Sequence, residues 1–310
     1  MKAKLFPKVM VIFLMLVSSA PSSAFSIMTW NMEWLSDKGD ITEGHRKPED
    51  YVQLQKVVSQ IDPDVVALQE VDSLKVLRKV FSPQLYDLYI SDRHSREGPG
   101  NRQSLRSTQY TGFAVKRGIT VIDHADNRAL SLSSYFNETN LRYGTYIEIQ
   151  KDGYKPLHLL SVHLKSGCFD GRNMKRYNCI KLSQQTDALG NWIRERERNN
   201  QAYMIAGDFN HYLSKTPNEV ITRLNRYTRE GLEPLLLTQN TRAYCKVRRI
   251  NRKSKRWETH IYTRLIDHIL VSQNWLGNKR YTSRQISFDP HDVMHFRLTD
   301  HCPVVVTVNE

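Results

Sequence analysis

The chain has 310 residues, a formal charge of +13, and 40% hydrophobic against 25% charged residues. Beyond its first residues it contains no apolar run approaching the ~20 residues of a membrane span, which excludes a multi-span protein. The excess of cations concentrates polyanions, whether nucleic acid or an anionic membrane surface, but does not choose between them.

Lys2, Lys4 and Lys8 precede an apolar run from Val9 to Val17 and then Ser22-Ser23-Ala24, the order of a secretory leader with a small-residue cleavage site. Residues 1–24 are therefore expected to be removed, leaving 25–310 without a membrane anchor, secreted or periplasmic. Removal takes away three lysines and no acid, so +13 becomes +10. No Gly/Ser-rich or Pro-rich linker divides the remainder, which predicts one domain, expected to be a monomer.

Short runs rich in β-branched and aromatic residues follow at Phe25–Trp30, Val65–Leu68, Tyr110–Val115, Tyr143–Ile149, Leu157–Val162, Tyr203–Ala206, Ile266–Val271 and Pro303–Val308. These read as buried strands. Tyr51, Leu54, Val57, Val58 and Ile61 share one helical face, and Leu182, Leu189, Trp192 and Ile193 another. Strands with interspersed helices predict an α/β fold of two packed sheets flanked by helices. Ser91–Thr108 and Lys246–Arg256 are polar and read as surface loops. The second carries Arg248, Arg249, Arg252 and Lys253 among its cations, with Tyr244 and Trp257 at its ends, a composition suited to phosphate contact beside a base-stacking surface. A solvated loop has the same composition.

Cys168, Cys179, Cys245 and Cys302 are an even number in a chain expected in an oxidising compartment. Of the three possible pairings, the expected one joins Cys168 to Cys179 across a local loop and Cys245 to Cys302. No CxxC zinc spacing is present.

Polar residues gather at the ends of the expected strands. Asn31 and Glu33 follow the first, Glu70 the second, His163 ends Leu-Leu-Ser-Val-His, and Asp208 and Asn210 end Ile-Ala-Gly-Asp-Phe-Asn. Asp267 opens Ile-Asp-His-Ile-Leu, and Asp300-His301 precede the last strand. A sheet presents such residues together at one edge. Carboxylates offer hard oxygen ligands for Mg²⁺, Ca²⁺ or Mn²⁺, Asn and His donors hold phosphoryl oxygens, and an Asp-oriented His moves a proton. Phosphodiester hydrolysis needs this inventory.

In order and context, the motifs TWNMEWL, LQEV, SVHLKSG, AGDFN, LIDHILVS and LTDHCPV resemble the endonuclease/exonuclease/phosphatase superfamily, which includes deoxyribonuclease I and bacterial sphingomyelinases. The resemblance runs from Ser26 to Val308. It implies a four-layered α/β sandwich, deoxyribonuclease I-like, and a metal-dependent hydrolase. It implies Glu70 as principal metal ligand, with Asn31, Glu33 and Asp300 around it, and Asp208, Asn210, His163 and an Asp267–His301 pair as the catalytic set. Arg142 and Tyr110 begin strands that flank the site in related proteins, a place for substrate contact as well as for strand packing. The leading expectation is an endonuclease acting on DNA or RNA. A phospholipid or sphingomyelin headgroup phosphodiesterase would use the same residues, and a non-catalytic binder would keep only the scaffold.

Overall fold

The computed structural model describes residues 24–36, 46–97, 109–135, 141–173, 175–251 and 253–309. The expected leader, but for Ala24, and Arg252 lie outside the described residues. In chain order the elements are β1 (Phe25–Leu35), α1 (Pro48–Ile61), β2 (Val65–Val71), α2 (Leu74–Leu77), β3 (Tyr86–Ile90), α3 (Asp92–Glu97), β4 (Tyr110–Lys116), β5 (Thr120–Asn127), β6 (Gly144–Gln150), β7 (Leu157–His163), α4 (Tyr177–Arg198), β8 (Tyr203–Asp208), α5 (Glu219–Asn225), β9 (Leu235–Leu236), β10 (Cys245–Ile250), β11 (Trp257–Tyr262), β12 (Asp267–Val271), α6 (Gln273–Leu276), β13 (Arg280–Gln285), α7 (Pro290–His295) and β14 (Val304–Asn309).

Two six-stranded sheets form, in the orders β13-β14-β1-β2-β4-β3 and β5-β6-β7-β8-β12-β9. Ile27, Val65, Phe113, Ile147, Leu159, Met204 and Val306 fill the space between them. Helix α1 closes the outer face of the first sheet with Tyr51, Leu54 and Val58, and α4 that of the second with Leu182, Leu189, Trp192 and Ile193. Each such side chain contributes roughly 1.5–3 kcal/mol on full burial. This is the expected layered α/β sandwich.

Two pairings decide where the chemistry lies. β1 runs parallel to β2 and β7 parallel to β8, each pair joined by a crossover through α1 or α4. Parallel partners end on the same side, so Asn31, Glu70, His163 and Asp208 emerge at one edge. β12 is antiparallel to β8 with Asp267 opposite Asp208, and β14 is antiparallel to β1, which brings the turn before it to that edge too. Beneath the edge, Gln69 links the sheets: it accepts from Thr29 Oγ1 and donates to Ser161 Oγ, both at 3.3 Å.

One expectation changes. Lys246–Arg256 is no plain loop: it is the hairpin of β10 and β11, an antiparallel ribbon in register from Cys245↔Tyr262 to Ile250↔Trp257. Its cations hide a strand alternation in which Cys245 and Val247 face inward, packed with Val293 and Cys302, and Lys246, Arg248 and Ile250 face out. Ser91–Thr108 includes α3, and its residues 98–108 lie outside the described part. Both disulfides, Cys168–Cys179 and Cys245–Cys302, are present. Among the described residues, no helix is long and apolar enough to cross a membrane.

Candidate active site

β-Bulges reshape the strand ends. Register shifts fall between Asn31 and Leu35 and between Leu68 and Val71, and they turn side chains that would otherwise follow the sheet alternation. Glu33, Trp34, Glu70 and Asn210 have φ of 45, 52, 58 and 50°. Such left-handed non-glycine residues cost about 1–3 kcal/mol each and persist where the surroundings over-determine them. Here the surroundings are hydrogen bonds. Glu33 N donates to Asn31 Oδ1 at 3.0 Å, Trp34 N to Glu70 Oε2 at 3.0 Å, and Asn210 N to Asp208 Oδ1 at 2.7 Å. Gly207 precedes Asp208 because a Cβ there would lie 2.0 Å from the Val162 carbonyl oxygen.

Asn31 occupies the centre. Its Nδ2 donates to Glu70 Oε1 at 3.3 Å and to Asp208 Oδ2 at 3.2 Å, joining the two sheets. His163 Nε2 lies 3.7 Å from Glu70 Oε1 and 3.5 Å from Asp208 Oδ2, and its Nδ1 has no hydrogen-bond partner among the described residues. His301 Nδ1 meets Asp267 Oδ2 at 2.9 Å, leaving Nε2 turned toward Asp208 Oδ2 at 3.9 Å. Asn210 Nδ2 donates to Asp208 Oδ2 and to the Leu164 carbonyl, both at 3.1 Å. The Trp30 indole fixes the turn that carries His301 by donating to Thr299 Oγ1 at 2.9 Å and to the His301 carbonyl at 3.1 Å.

Electrostatics follow from this crowding. Burial, with Asp300 second, pushes Glu33 up to about 7; burial also raises Glu70, and with Asp267 it pushes Asp208 up to about 7. Burial, reinforced by Arg142 and His301, lowers His163 far below an ordinary imidazole. At His301 burial acts against the charge, but Asp267, Asp208 and Asp300 together overcome it and raise the imidazole well above its usual value.

Three cations were not all foreseen. Arg142 is partly buried, which lowers it, although Glu70 and Asp208 pull the other way; its Nε has no partner among the described residues. Lys165 was missed, although it stands inside SVHLKSG; burial and the like charges of Arg142 and Lys181 lower it. Arg46 was also missed, having no motif around it. Its guanidinium donates to the carbonyls of Met32 at 2.9 Å, Arg297 at 3.1 Å and Leu298 at 2.7 Å, holding the Glu33 turn against the approach to Asp300.

The flanking residues divide. Tyr110 is 5% exposed and packs edge-on against His94 in the core, 5.4 Å between ring centroids. Arg248 is on the ribbon face opposite Cys245 and Val247: burial and Arg297 lower it, while Asp50 and Glu33 act to raise it. Its guanidinium lies 4.9 Å from the centroid of the Trp257 ring. Arg249 alternates to the other face, opposite Glu258, and Lys253 N caps the exposed turn by donating to Asn251 Oδ1. His291 and His295 stack on each other in α7, with 3.9 Å between ring centroids.

The donor set suits a divalent cation. Glu70, Asn31, Glu33 and Asp300 offer hard oxygens. The burial of Glu70 and Glu33, and the repulsion that Asp300 adds to each, are what a bound cation would relieve. Asp208, Asp267 and His301 form a second close group, all within 4.8 Å, but Asp267 is engaged in holding His301.

Fold and site together define a metal-dependent hydrolase acting on phosphodiester bonds. The chain belongs to the endonuclease/exonuclease/phosphatase family, whose model matches residues 28–301. Among solved structures it is similar to TDP2 from C. elegans, at 17% identity and TM-score 0.61 over 93% of this chain and 75% of that one. D. rerio TDP2 complexed with single-strand DNA product is 15% identical, with TM-score 0.57 over 93% and 100%. The human Nocturnin catalytic domain with bound sulfate is 15% identical, with TM-score 0.57 over 92% and 94%. These likenesses establish the fold. No curated protein sequence matches.

Proposed function

We propose that this chain is an exported endonuclease that hydrolyses DNA or RNA with Mg²⁺. The observation that carries the reading is the convergence, at one edge of both sheets, of Asn31, Glu70, His163, Asp208, Asn210 and the Asp267–His301 pair, bordered by Arg142 and Lys165. Glu70, with Asn31, Glu33 and Asp300 around it, would hold the metal. When bound it supplies Lewis-acid polarisation of a phosphoryl oxygen and offsets developing charge.

The chain's own residues account for the rest. Asp208 and His301, 3.9 Å apart, flank the space an attacking water would occupy and share one proton between them, so the pair takes the water's proton in the state where the His301 imidazole is neutral. Asp267 orients His301 through Nδ1. Asn210 fixes Asp208, and His163 and Arg142 face the phosphoryl oxygens. The P–O ester bond opposite the water breaks, and the leaving oxygen takes a proton.

Export is supported by the leader sequence and by both disulfides. Nucleic acid as substrate is supported by the basic charge and by TDP2, which carries single-strand DNA product on the same fold. A second reading, cleavage of a phospholipid headgroup, gains support from the ribbon, where Ile250, Trp257 and Ile261 are 46%, 53% and 38% exposed beside Arg248. Incubating residues 25–310 with supercoiled plasmid, total RNA and sphingomyelin liposomes, each with Mg²⁺, Ca²⁺ or EDTA, separates the two. Metal-dependent plasmid nicking that disappears in Glu70→Ala is expected; lipid turnover with intact plasmid would replace the nuclease reading.

A further inference from the structure

The segments that carry His163, Asp208 with Asn210, and Asp267 continue beyond those residues and meet again beside the site. The chain after His163 turns through Phe169 and is tied back by Cys168–Cys179. The chain after Asn210 passes Tyr212, and the chain before Asp267 contains Arg264. Tyr212 N donates to the Phe169 carbonyl at 2.8 Å, and His211 Nδ1 meets the Cys168 carbonyl at 2.5 Å, so these walls are fixed to one another.

They line two adjoining open clefts of about 290 and 540 Å³ that share Asp170, Arg172, Tyr212 and Arg264. Phe169 and Tyr212 stack with centroids 5.9 Å apart at 27°, and Phe169 keeps 40% of its surface exposed. The Arg264 guanidinium lies 5.2 Å from the centroid of the Tyr212 ring. Lys215 adds a cation to the larger cleft, and Asp170, the one acid among these residues, is already paired with Arg172. A flat aromatic surface beside Arg264 and Lys215, which have no acidic partner among the described residues, in a cleft of ligand size, matches a nucleotide. An acidic peptide would satisfy the cations but leave the stacked rings without a flat partner.

We propose that this cleft binds a nucleotide flanking the scissile phosphate, its base stacked on the Phe169–Tyr212 pair and its phosphate held by Arg264 and Lys215. A base in a closed duplex cannot reach such a cleft without leaving its stack, so the subsite selects single-stranded or locally opened nucleic acid. The proposal rests on the nuclease reading and adds the form of nucleic acid taken.

The test is fluorescence anisotropy of a short labelled single strand and a matching hairpin duplex in EDTA, using residues 25–310, Phe169→Ala, Arg264→Ala and the charge control Arg280→Ala on the edge strand β13. Loss of one stacking partner weakens binding by about five- to a hundredfold. The single strand should therefore bind Phe169→Ala and Arg264→Ala at least about fivefold more weakly, the duplex less than about twofold, with Arg280→Ala shifting both by one small factor. Circular dichroism confirms that these surface variants fold. Equal loss on both substrates, or none, overturns the subsite. Hydrolysis of bis(p-nitrophenyl) phosphate, which has no flanking nucleotide, reports the reaction separately. Its absence beside the expected anisotropy pattern refutes hydrolysis alone, and its presence beside flat anisotropy refutes the subsite alone.

Discussion

On the floor of the site Asn31, Asp208 and Asp267 are 1%, 1% and 3% exposed, whereas Phe169 and Trp257, on the two arms that flank it, are 40% and 53% exposed. Each floor residue lies at or beside a strand end and is hydrogen-bonded into place; each arm extends from the sheets and is pinned by one disulfide. Cys168–Cys179 ties one arm beside the His163 strand, and Cys245–Cys302 ties the ribbon to the residue after His301. The contrast separates two physical tasks. Chemistry requires charges held in a low-dielectric setting, where small displacements are costly. Gripping a polyanion requires cations and rings that face water, each worth little and screened by salt.

The arms are broken most directly at their disulfides. The Cys245–Cys302 link spans 57 residues and the Cys168–Cys179 link 11. By loop-closure entropy they contribute about 4 and about 3 kcal/mol. Paired Cys→Ser replacement at 245 and 302 should lower denaturant stability by that larger amount, and the same change at 168 and 179 by less. An order reversed in urea titration would show that strain or residual structure governs instead. On the floor, His301→Ala should reduce turnover by at least ~100-fold. Asp267→Asn should also damage turnover, through misorientation of the same ring. Wild-type activity in His301→Ala would remove that residue from the mechanism.

Smaller effects sharpen the contrast. Arg248→Ala should raise KM severalfold and flatten the logarithmic salt dependence of binding by about one if it contacts a single phosphate. An unchanged salt slope would place the strand elsewhere. Away from both regions, burial pushes Asp126 up to about 7, with Asp92 adding to the rise, against hydrogen bonds from Ser91 and Asp92 N that favour the anion. The folded protein thus holds this proton more tightly than the unfolded chain, and stability falls as pH rises from about 4 toward 7. Asp126→Asn should abolish that fall, gaining about 3 kcal/mol over wild type at neutral pH relative to pH 4. Thermal melts across this range check it, and parallel curves for the two proteins would refute it.

Much of the fold was legible because buried strands advertise themselves. β1, β2, β4, β6, β7, β8, β12 and β14 are apolar runs with polar ends, and all eight were expected. β3, β5, β9, β10, β11 and β13 were not. β5 and β13 are edge strands whose residues mostly face water, and the ribbon has only Cys245 and Val247 turned inward, so their patterns carry no apolar period. The same logic divides the site residues. Glu70, His163 and Asp208 stand at strand ends in short motifs, whereas Arg46 has no local signature, because its partners are carbonyls at 32, 33, 297 and 298.

The sequence by itself determined the succession of strands and helices along the chain and that Asn31, Glu70, His163 and Asp208 stand at strand ends, because buried strands are apolar runs with polar residues at their limits; the parallel pairing that sets those ends on one side belongs to the structure. The sequence also set the charge and the even number of cysteines. Only the tertiary structure decided which side chains meet: that Asn31 bridges Glu70 and Asp208 between the sheets, that Asp267 lies opposite Asp208, and that Phe169, Tyr212 and Arg264 from three separate segments form one wall. Those contacts depend on bulges, register and backbone angles fixed by packing across the whole chain, which no local pattern encodes.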